Sequence, residues 1–193
     1  QLAQRIGLSA TVRPVERVAA FLGGCQPVQV VNPAADRTLH LTIEVPVEDM
    51  TDIASADDLT GEATSASSSI WPHIEARILQ QVMAHRATLV FVNSRGLAEK
   101  LTARLNARYL AQQTAAGDRD AEPDDSDDLI ARSHHGSVSK EQRGEIEAAL
   151  KLGRLRCVVA TSSLELGIDM GPVDLVIQVG APLSVASALQ RVG

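Results

Sequence analysis

Aromatic side chains are scarce in this sequence of 193 residues. They make up 2% of the chain, which has one tryptophan, Trp71, and one tyrosine, Tyr109. Proteins that hold single-stranded nucleic acid by stacking need aromatic platforms for successive bases. Stacking is therefore excluded as the main means by which this protein would hold a nucleic acid.

Cysteines are few, and long apolar runs are lacking. Cys25 and Cys157 lie far apart and match no metal-binding or redox spacing, which favours two free thiols in an intracellular, cytoplasmic protein. No run approaches the roughly 18 apolar residues of a membrane span. The N-terminus also lacks the pattern of a signal peptide, so we expect no membrane partner.

Basic residues are outnumbered, because the net charge is −6. The acidity is concentrated in two stretches, 48–62 and 118–128, which together contain 13 acids and one base, Arg119. These stretches carry −12, so the rest of the chain carries +6. The acidic total therefore does not exclude a nucleic-acid partner. For 118–128 we favour a solvated loop over a segment that mimics nucleic acid.

Apolar runs of strand length alternate with helical patterns along the chain. Leu97, Leu101, Leu105 and Tyr109 recur every four residues and predict the buried stripe of one helix. Strands are predicted at 28–31, 39–45, 88–92, 156–160 and 173–179, and strands that run into a turn are predicted at 6–11 and 129–136. Helices are predicted at 14–24, 72–82, 97–109, 140–152 and 184–192, and surface loops at 48–69 and 114–128. Nearly continuous apolar strands between helices predict an α/β fold with a parallel sheet covered on both faces.

Several helix ends carry local signals. Pro72 suits the first turn of a helix. Ser139 followed by Gln142 fits a capping box. The glycines at 23–24 and Gly153 are expected to end the helices that precede them.

Polar residues directly follow several predicted strands. Because the carboxyl ends of parallel strands meet at one edge, we expect these residues to gather there. Hydroxyls, small residues and backbone N–H groups can donate to phosphates without bulk. The sequence therefore predicts a phosphate-binding edge, with the clusters Asn93-Ser94-Arg95, His134-His135-Gly136 and Thr161-Ser162-Ser163, followed by Gly167 and Asp169.

In chain order, five segments resemble motifs of superfamily 2 helicases. They are "SAT" (9–11) for motif III, "LVFVNSR" (89–95) for motif IV, "HHGSVSKEQR" (134–143) for the His-Gly segment, "VVATSSLELGIDM" (158–170) for motif V and "QRVG" (190–193) for the start of motif VI. The sequences "SIWPHIEARIL" and "NSRGLAEKLTARLN" are most similar to the large helicase-related (Lhr) family.

This resemblance implies a RecA-like parallel sheet with helices on both faces. It implies an ATP-driven translocase on single-stranded DNA that unwinds duplexes, RNA–DNA hybrids included, with a role in DNA repair. Residues 1–24 would end the first RecA-like lobe, as motif III and a linker. Residues 25–193 would form the second lobe, the helicase C-terminal domain truncated in motif VI, with the first lobe as its partner.

The resemblance also implies roles for single residues. Nucleic-acid backbone contacts would come from Ser94, Arg95, Gly136, Thr161 and Ser162. The ATP cleft would be faced by Gly167 and Asp169, with Gln190 and Arg191 starting the segment that senses the terminal phosphate. Ser9 and Thr11 would couple hydrolysis to lobe movement.

Parts of such a motor are absent from the sequence. It contains neither G-x-x-x-x-G-K-[ST] nor an Asp-Glu pair that would hold Mg²⁺, and it stops at Gly193, before the arginine that would serve as a finger. The main motifs for ATP and Mg²⁺ would then lie outside this chain, and both ends would lie within a longer protein. We expect no complete catalytic set, no metal site and no ATP hydrolysis by this chain alone.

Some residues allow a second interpretation. His134 and His135 are expected as turn or core histidines rather than metal ligands, since adjacent strand residues point to opposite faces. Arg104 and Arg108 fit either an exposed helix face or the flank of a substrate. Asp169 could also cap a turn.

Two other functions compete with the helicase interpretation. One is a RecA-like module that binds nucleic acid or protein without catalysis. The other is a different nucleotide-binding α/β enzyme, such as a dehydrogenase. A dehydrogenase predicts G-x-G-x-x-G after the first strand, and the sequence has no such stretch.

Overall fold

The sheet has four parallel strands of four residues each. The structure is a computed structural model that describes residues 3–9, 12, 14–32, 39–47, 70–115, 129–165 and 171–192. The strands are β1 (Thr88–Phe91), β2 (Ala131–His134), β3 (Cys157–Ala160) and β4 (Leu175–Gln178), in the spatial order β2-β3-β1-β4. Phe91 lies opposite both Ala160 and Gln178, and His134 lies opposite Ala160, so the carboxyl ends of all four strands are level.

Helices precede, connect and follow these strands. They are α1 (Val15–Gly23), α2 (Trp71–Ala84), α3 (Arg95–Ala115), α4 (Lys140–Lys151) and α5 (Val185–Val192), with a one-turn 3-10 helix, η1 (Ser162–Leu164), after β3. Among the described residues, no helix is long and apolar enough to cross a membrane.

The apolar core lies on both faces of the sheet. On one face, buried side chains of α2 and α3, such as Leu79, Leu101 and Leu105, pack with Val90 and other strand residues. On the other face, Ile146 and Leu150 of α4 pack with Leu89, Phe91 and Val158. Successive strand residues point to opposite faces, which is why a continuous apolar run fills both halves of the core. The predicted α/β sheet with helices on both faces is confirmed.

The predicted helix ends are confirmed as well. Pro72 lies in the first turn of α2. Ser139 caps α4, since its side chain accepts a hydrogen bond of 3.2 Å from the backbone N–H of Gln142. Gly24 and Gly153 follow α1 and α4 with φ of 62° and 71°, a left-handed conformation that glycine adopts without a steric cost.

Three predicted strands are wrong over their described residues. Residues 6–9, 28–31 and 39–45 form no strand, and most of their large apolar side chains are exposed, up to 95% for Leu8 and 90% for Ile43. Alternation of apolar and polar residues favours a strand only where a sheet edge pairs with it, and none of these three segments pairs with the described sheet. Segment 39–47 instead meets α2 through Glu44, which accepts a hydrogen bond of 2.6 Å from Nε of Arg77.

The two predicted acidic loops fall almost entirely outside the described residues. Residues 48–69 and 116–128 are not described, and residues 114 and 115 belong to the end of α3 rather than to a loop. The division of the chain into 1–24 and 25–193 stays a prediction.

Candidate functional site

Three turns with polar residues lie side by side at the carboxyl edge of the sheet. They follow β1, β2 and β3, which are neighbours in the sheet. The structure thereby brings together the five residues predicted to contact a nucleic-acid backbone. Ser94, Arg95, Gly136 and Ser162 are exposed there, and Thr161 is half-buried.

The first turn starts α3. The hydroxyl oxygen of Ser94 accepts a hydrogen bond of 3.2 Å from the backbone N–H of Leu97 and so caps the helix. Asn93, just before it, donates its side-chain N–H to the carbonyl of Ala181 at 2.9 Å, in the segment that leads to α5. The turn is therefore fixed to the neighbouring loop after β4.

Arg95 links the first turn to the second. Its Nη1 donates a hydrogen bond of 2.6 Å to Oγ of Ser137, in the turn between β2 and α4. Both side chains are exposed, so the guanidinium group remains accessible at the edge of the sheet. Sequence reasoning did not single out Ser137, although its position next to Gly136 was a usable signal.

His135 connects the second turn to α3. The residue is buried, its Nε2 lies 2.5 Å from Oε1 of Glu99 on α3, and its Nδ1 accepts a hydrogen bond of 3.2 Å from the backbone N–H of Ser137. Because Nδ1 accepts, Nε2 carries the hydrogen that points at Glu99. This hydrogen bond holds the pKa of Glu99 below its usual value, against the opposing effect of burial.

His134 faces the other way and meets the third turn. Its side chain is fully buried, with Nε2 3.1 Å from Oε1 of Glu147 and Nδ1 2.9 Å from Oγ of Ser163. Burial lowers the pKa of His134, and the hydrogen bond with Glu147 opposes that effect. The two histidines are buried at the end of β2 and at its turn, as predicted, and the described residues contain no group of three His, Cys, Asp or Glu that could hold a metal ion.

Arg191, predicted to face the ATP cleft, is buried in its own lobe. It is 6% exposed and donates from Nε to Oε1 of Glu165 at 2.7 Å, from Nη2 to the same oxygen, and from Nη1 to Gln178. Its guanidinium carbon lies 5.0 Å from the centre of the Phe91 ring, within the range of a cation–π contact. Arg191 thus joins α5 to β1, to the end of β4 and to the residue after η1.

The other predicted ATP and coupling residues are only partly described. Gln190 is half-buried on α5, next to Arg191, and Ser9 is exposed in a segment without regular structure. Gly167, Asp169 and Thr11 lie outside the described residues. All of these roles stay predictions.

Arg104 and Arg108 have a partner that neither interpretation of the sequence included. They extend from α3 to the buried carboxylate of Glu75 on α2, with hydrogen bonds of 2.8 and 3.1 Å. The available signal was the position of Glu75, three residues before Ile78 and so on the buried face of α2. These two arginines hold two helices together.

Comparisons with known proteins agree with this architecture. The helicase conserved C-terminal domain family matches residues 74–193. The Lhr helicase/uracil glycosylase of Escherichia coli K12 is 59% identical over 207 residues, and the ATP-dependent helicase Lhr-Core of Saccharolobus solfataricus is 37% identical over 190. These alignments cover 99% and 98% of this chain, but 14% and 19% of those proteins.

One solved structure is similar over almost the whole chain. It is the Mycobacterium smegmatis helicase Lhr bound to single-stranded DNA and AMP-PNP, with a TM-score of 0.78 and 56% identity, covering 99% of this chain and 22% of that one. The parallel sheet and its level carboxyl edge are therefore those of a RecA-like helicase lobe. The chain belongs to the helicase conserved C-terminal domain family. The expected resemblance to Lhr proteins is confirmed.

Proposed function

We propose that this chain is the second RecA-like lobe of an ATP-dependent helicase that moves along single-stranded DNA. The observation that carries the proposal is the row of turns after β2, β3 and β1, which offers Gly136, Ser162, Ser94 and Arg95 at one exposed edge. The similarity to an Lhr helicase bound to single-stranded DNA supports it.

The expected contacts are with the sugar–phosphate backbone. Arg95 supplies positive charge, Ser94 and Ser162 supply hydroxyl groups, and Gly136 leaves space beside the main chain, since an added Cβ would meet no atom within 4 Å. Such contacts give binding that depends strongly on salt and little on base sequence. Thr161 is the fifth proposed contact. Its side chain makes no capping hydrogen bond to η1, so capping does not occupy the hydroxyl.

The nucleotide would bind on the side of this lobe that faces its partner lobe. Gly167, Asp169 and Gln190 are proposed to line that cleft, and Arg191 to hold α5 in place through Glu165. Among the described residues, no group of three or more His, Cys, Asp or Glu could hold a metal ion. We infer that Mg²⁺ and the phosphate chain of ATP are bound mainly by the first lobe, and that Ser9 and Thr11 transmit hydrolysis to lobe movement.

Unwinding of RNA–DNA hybrids, a role in DNA repair and a cytoplasmic location belong to the same proposal. The names of the relatives support the helicase assignment. The alternative is a RecA-like module that binds nucleic acid or protein without catalysis. It predicts that the intact protein lacks a phosphate loop.

The testing experiment measures ATP hydrolysis by the intact protein, with and without single-stranded DNA. Strong stimulation by DNA is the expected result. A folded intact protein that binds DNA but does not hydrolyse ATP would favour the binding module instead. This chain expressed alone is expected to be inactive, so Mg²⁺-dependent turnover by a homogeneous preparation of it would contradict our account of where the ATP motifs lie.

A further inference from the structure

We propose that His134 is a positioning residue, which sets the turn at Thr161–Ser163 for contact with the nucleic-acid backbone. This inference rests on the proposed function and adds to it a residue that does not itself touch DNA. His134 is fully buried at the carboxyl end of β2 and therefore acts through the groups packed around it.

His134 holds the third turn at two residues. Its carbonyl oxygen accepts hydrogen bonds from the backbone N–H of Thr161 at 3.3 Å and from the hydroxyl of Ser163 at 2.9 Å. Its ring Nδ1 lies 2.9 Å from the same hydroxyl oxygen of Ser163. Ser162, which is exposed, lies between these two anchored residues. The position of the whole turn is therefore set from β2.

The ring of His134 is held in turn by α4. An ionised Glu147 side chain has no hydrogen to donate, so it accepts. The hydrogen of a neutral imidazole therefore resides on Nε2, which lies 3.1 Å from Oε1 of Glu147. Nδ1 is then an acceptor, and the single hydrogen of the Ser163 hydroxyl is shared between Nδ1 and the carbonyl oxygen of His134. The lowered pKa of His134, to which burial and the charge of Arg143 contribute, supports the neutral form. A chain of hydrogen bonds thus runs from Glu147 through His134 to Ser163.

The neighbouring histidine provides a built-in comparison. His135 contacts Glu99 and the backbone of Ser137, and so supports the Gly136–Ser137 turn instead. No described hydrogen bond joins the His134 ring to Ser137. A substitution of His134 should therefore affect the Thr161–Ser163 turn and leave the Gly136–Ser137 turn in place.

A role in positioning can be separated from a role in packing. Protein groups that contact a ligand need to be held within about 0.5 Å of the productive geometry by the residues behind them. A variant that only weakens the core lowers the free energy of unfolding without a selective effect on DNA. A variant that loosens the turn lowers affinity for DNA in the folded protein.

The experiment is a pair of double-mutant cycles on the intact protein, with the Kd for a single-stranded oligonucleotide measured by fluorescence anisotropy. The first cycle combines His134→Gln with Ser163→Ala, and the second combines His134→Gln with Ser137→Ala as the matched control. Gln keeps a donor for Glu147 and loses the acceptor for Ser163. Each substitution in the first cycle should weaken binding by about three- to tenfold, as expected for one hydrogen bond.

The expected result is that the first double variant binds no more weakly than the weaker of its two single variants, while the effects in the second cycle multiply. Affinity for AMP-PNP should be unchanged in the variants. Multiplying effects in the first cycle, or unchanged DNA affinity in folded His134→Gln, would overturn the proposal.

Two further measurements keep the outcomes distinct. If His134→Gln does not fold, His134→Asn replaces it, because Oδ1 of Asn retains an acceptor near the position of Nδ1. A Kd of His134→Asn for DNA close to the wild-type value supports the proposal. A loss of affinity equal to that of Ser163→Ala contradicts it. If the wild-type protein does not bind DNA, the proposed function fails. The hold on the turn is then tested by amide exchange at Thr161, which should be faster in Ser163→Ala and His134→Gln than in wild type, and equal rates would overturn it.

Discussion

Arg191 and Glu165 form a buried ion pair in which Nε and Nη2 of the arginine both donate to the same carboxylate oxygen. The pair connects the last turn of α5 with the residue that follows η1. It therefore joins the helix proposed to lead to the nucleotide sensor with the segment proposed to contact the nucleic acid.

Removing one partner of this pair should be costly. Glu165→Ala leaves the Arg191 guanidinium buried with Gln178 as its one hydrogen-bond partner among the described residues, and we expect a loss of about 3–5 kcal/mol in the free energy of unfolding. Chemical denaturation of the two proteins measures it. Glu145→Ala on the exposed surface of α4 is the control and should change stability by less than about 0.5 kcal/mol. A similar effect of both substitutions would contradict the importance of the pair.

Arg95 should account for part of the salt dependence of DNA binding. Loss of one phosphate contact reduces the slope of log K against log salt by about 0.7 for a single strand, so Arg95→Ala should flatten the plot by about that amount. Arg86→Ala is the matched control, because Arg86 is exposed just before β1, at the opposite edge of the sheet. Titrations at several salt concentrations provide the slopes. Equal slopes for Arg95→Ala and wild type would argue against the contact.

Gly136 and Gly144 should respond differently to alanine. An added Cβ meets no atom within 4 Å at either position, so neither substitution causes a clash. Gly144 lies inside α4, where alanine should stabilise the protein by about 0.5–1 kcal/mol. Gly136→Ala should weaken DNA binding without destabilising the fold, because the added methyl group occupies the space proposed for the sugar–phosphate backbone of the DNA. DNA affinity lowered equally by both changes would remove Gly136 from the interface.

Thr161 and Asp169 should separate the two ligands in the intact protein. Thr161→Val retains the shape of the side chain and removes its hydroxyl, so single-strand affinity should fall by about three- to tenfold. Asp169→Ala should mainly lower ATP turnover while DNA affinity stays nearly intact. Anisotropy and steady-state ATPase assays on both variants test the pair of expectations. Both fail if neither quantity changes in either variant.

Stability should fall in mild acid because of His134. Its pKa is lowered in the folded state, so the unfolded state binds more protons once the pH drops below about 6.5, the ordinary value for histidine. The stabilisation is complete above that pH and is lost as the pH falls through the folded-state pKa. His134→Gln should reduce the dependence by up to about 1.4 kcal/mol per pH unit. Unfolding free energies from pH 8 to pH 5 test this, and parallel curves for the two proteins would contradict it.

The sheet and the site edge were largely predictable from the sequence. The runs 88–92, 156–160 and 173–179 contain β1, β3 and β4. A continuous apolar run is typical of a strand covered on both faces, as β1 and β3 are, whereas the edge strand β4 is half-buried. Their polar successors had to meet at one edge, because parallel strands end together. The segments 28–31 and 39–45 have strand-like patterns too, but local alternation does not reveal whether a sheet edge is available to pair with them.

The side-chain contacts that hold the turns of the site in place were not predictable from the same patterns. His135 meets Glu99 across 36 residues of sequence, and His134 meets Ser163 across 29. Arg191 is buried because Glu165 and Gln178 converge on it from separate elements, an arrangement that its place in the sequence does not reveal. Such pairings depend on the three-dimensional approach of helices, which one-dimensional spacing does not determine.

The level ends of the four strands have an evolutionary consequence. A residue inserted into the turn after β1, β2 or β3 would lengthen that turn alone and leave its neighbours where they are. A residue inserted within a strand would instead exchange the faces of every side chain beyond it and expose half of the core. Changes in turn length can therefore alter each proposed contact with the nucleic-acid backbone independently, while the four-residue strands keep a constant length.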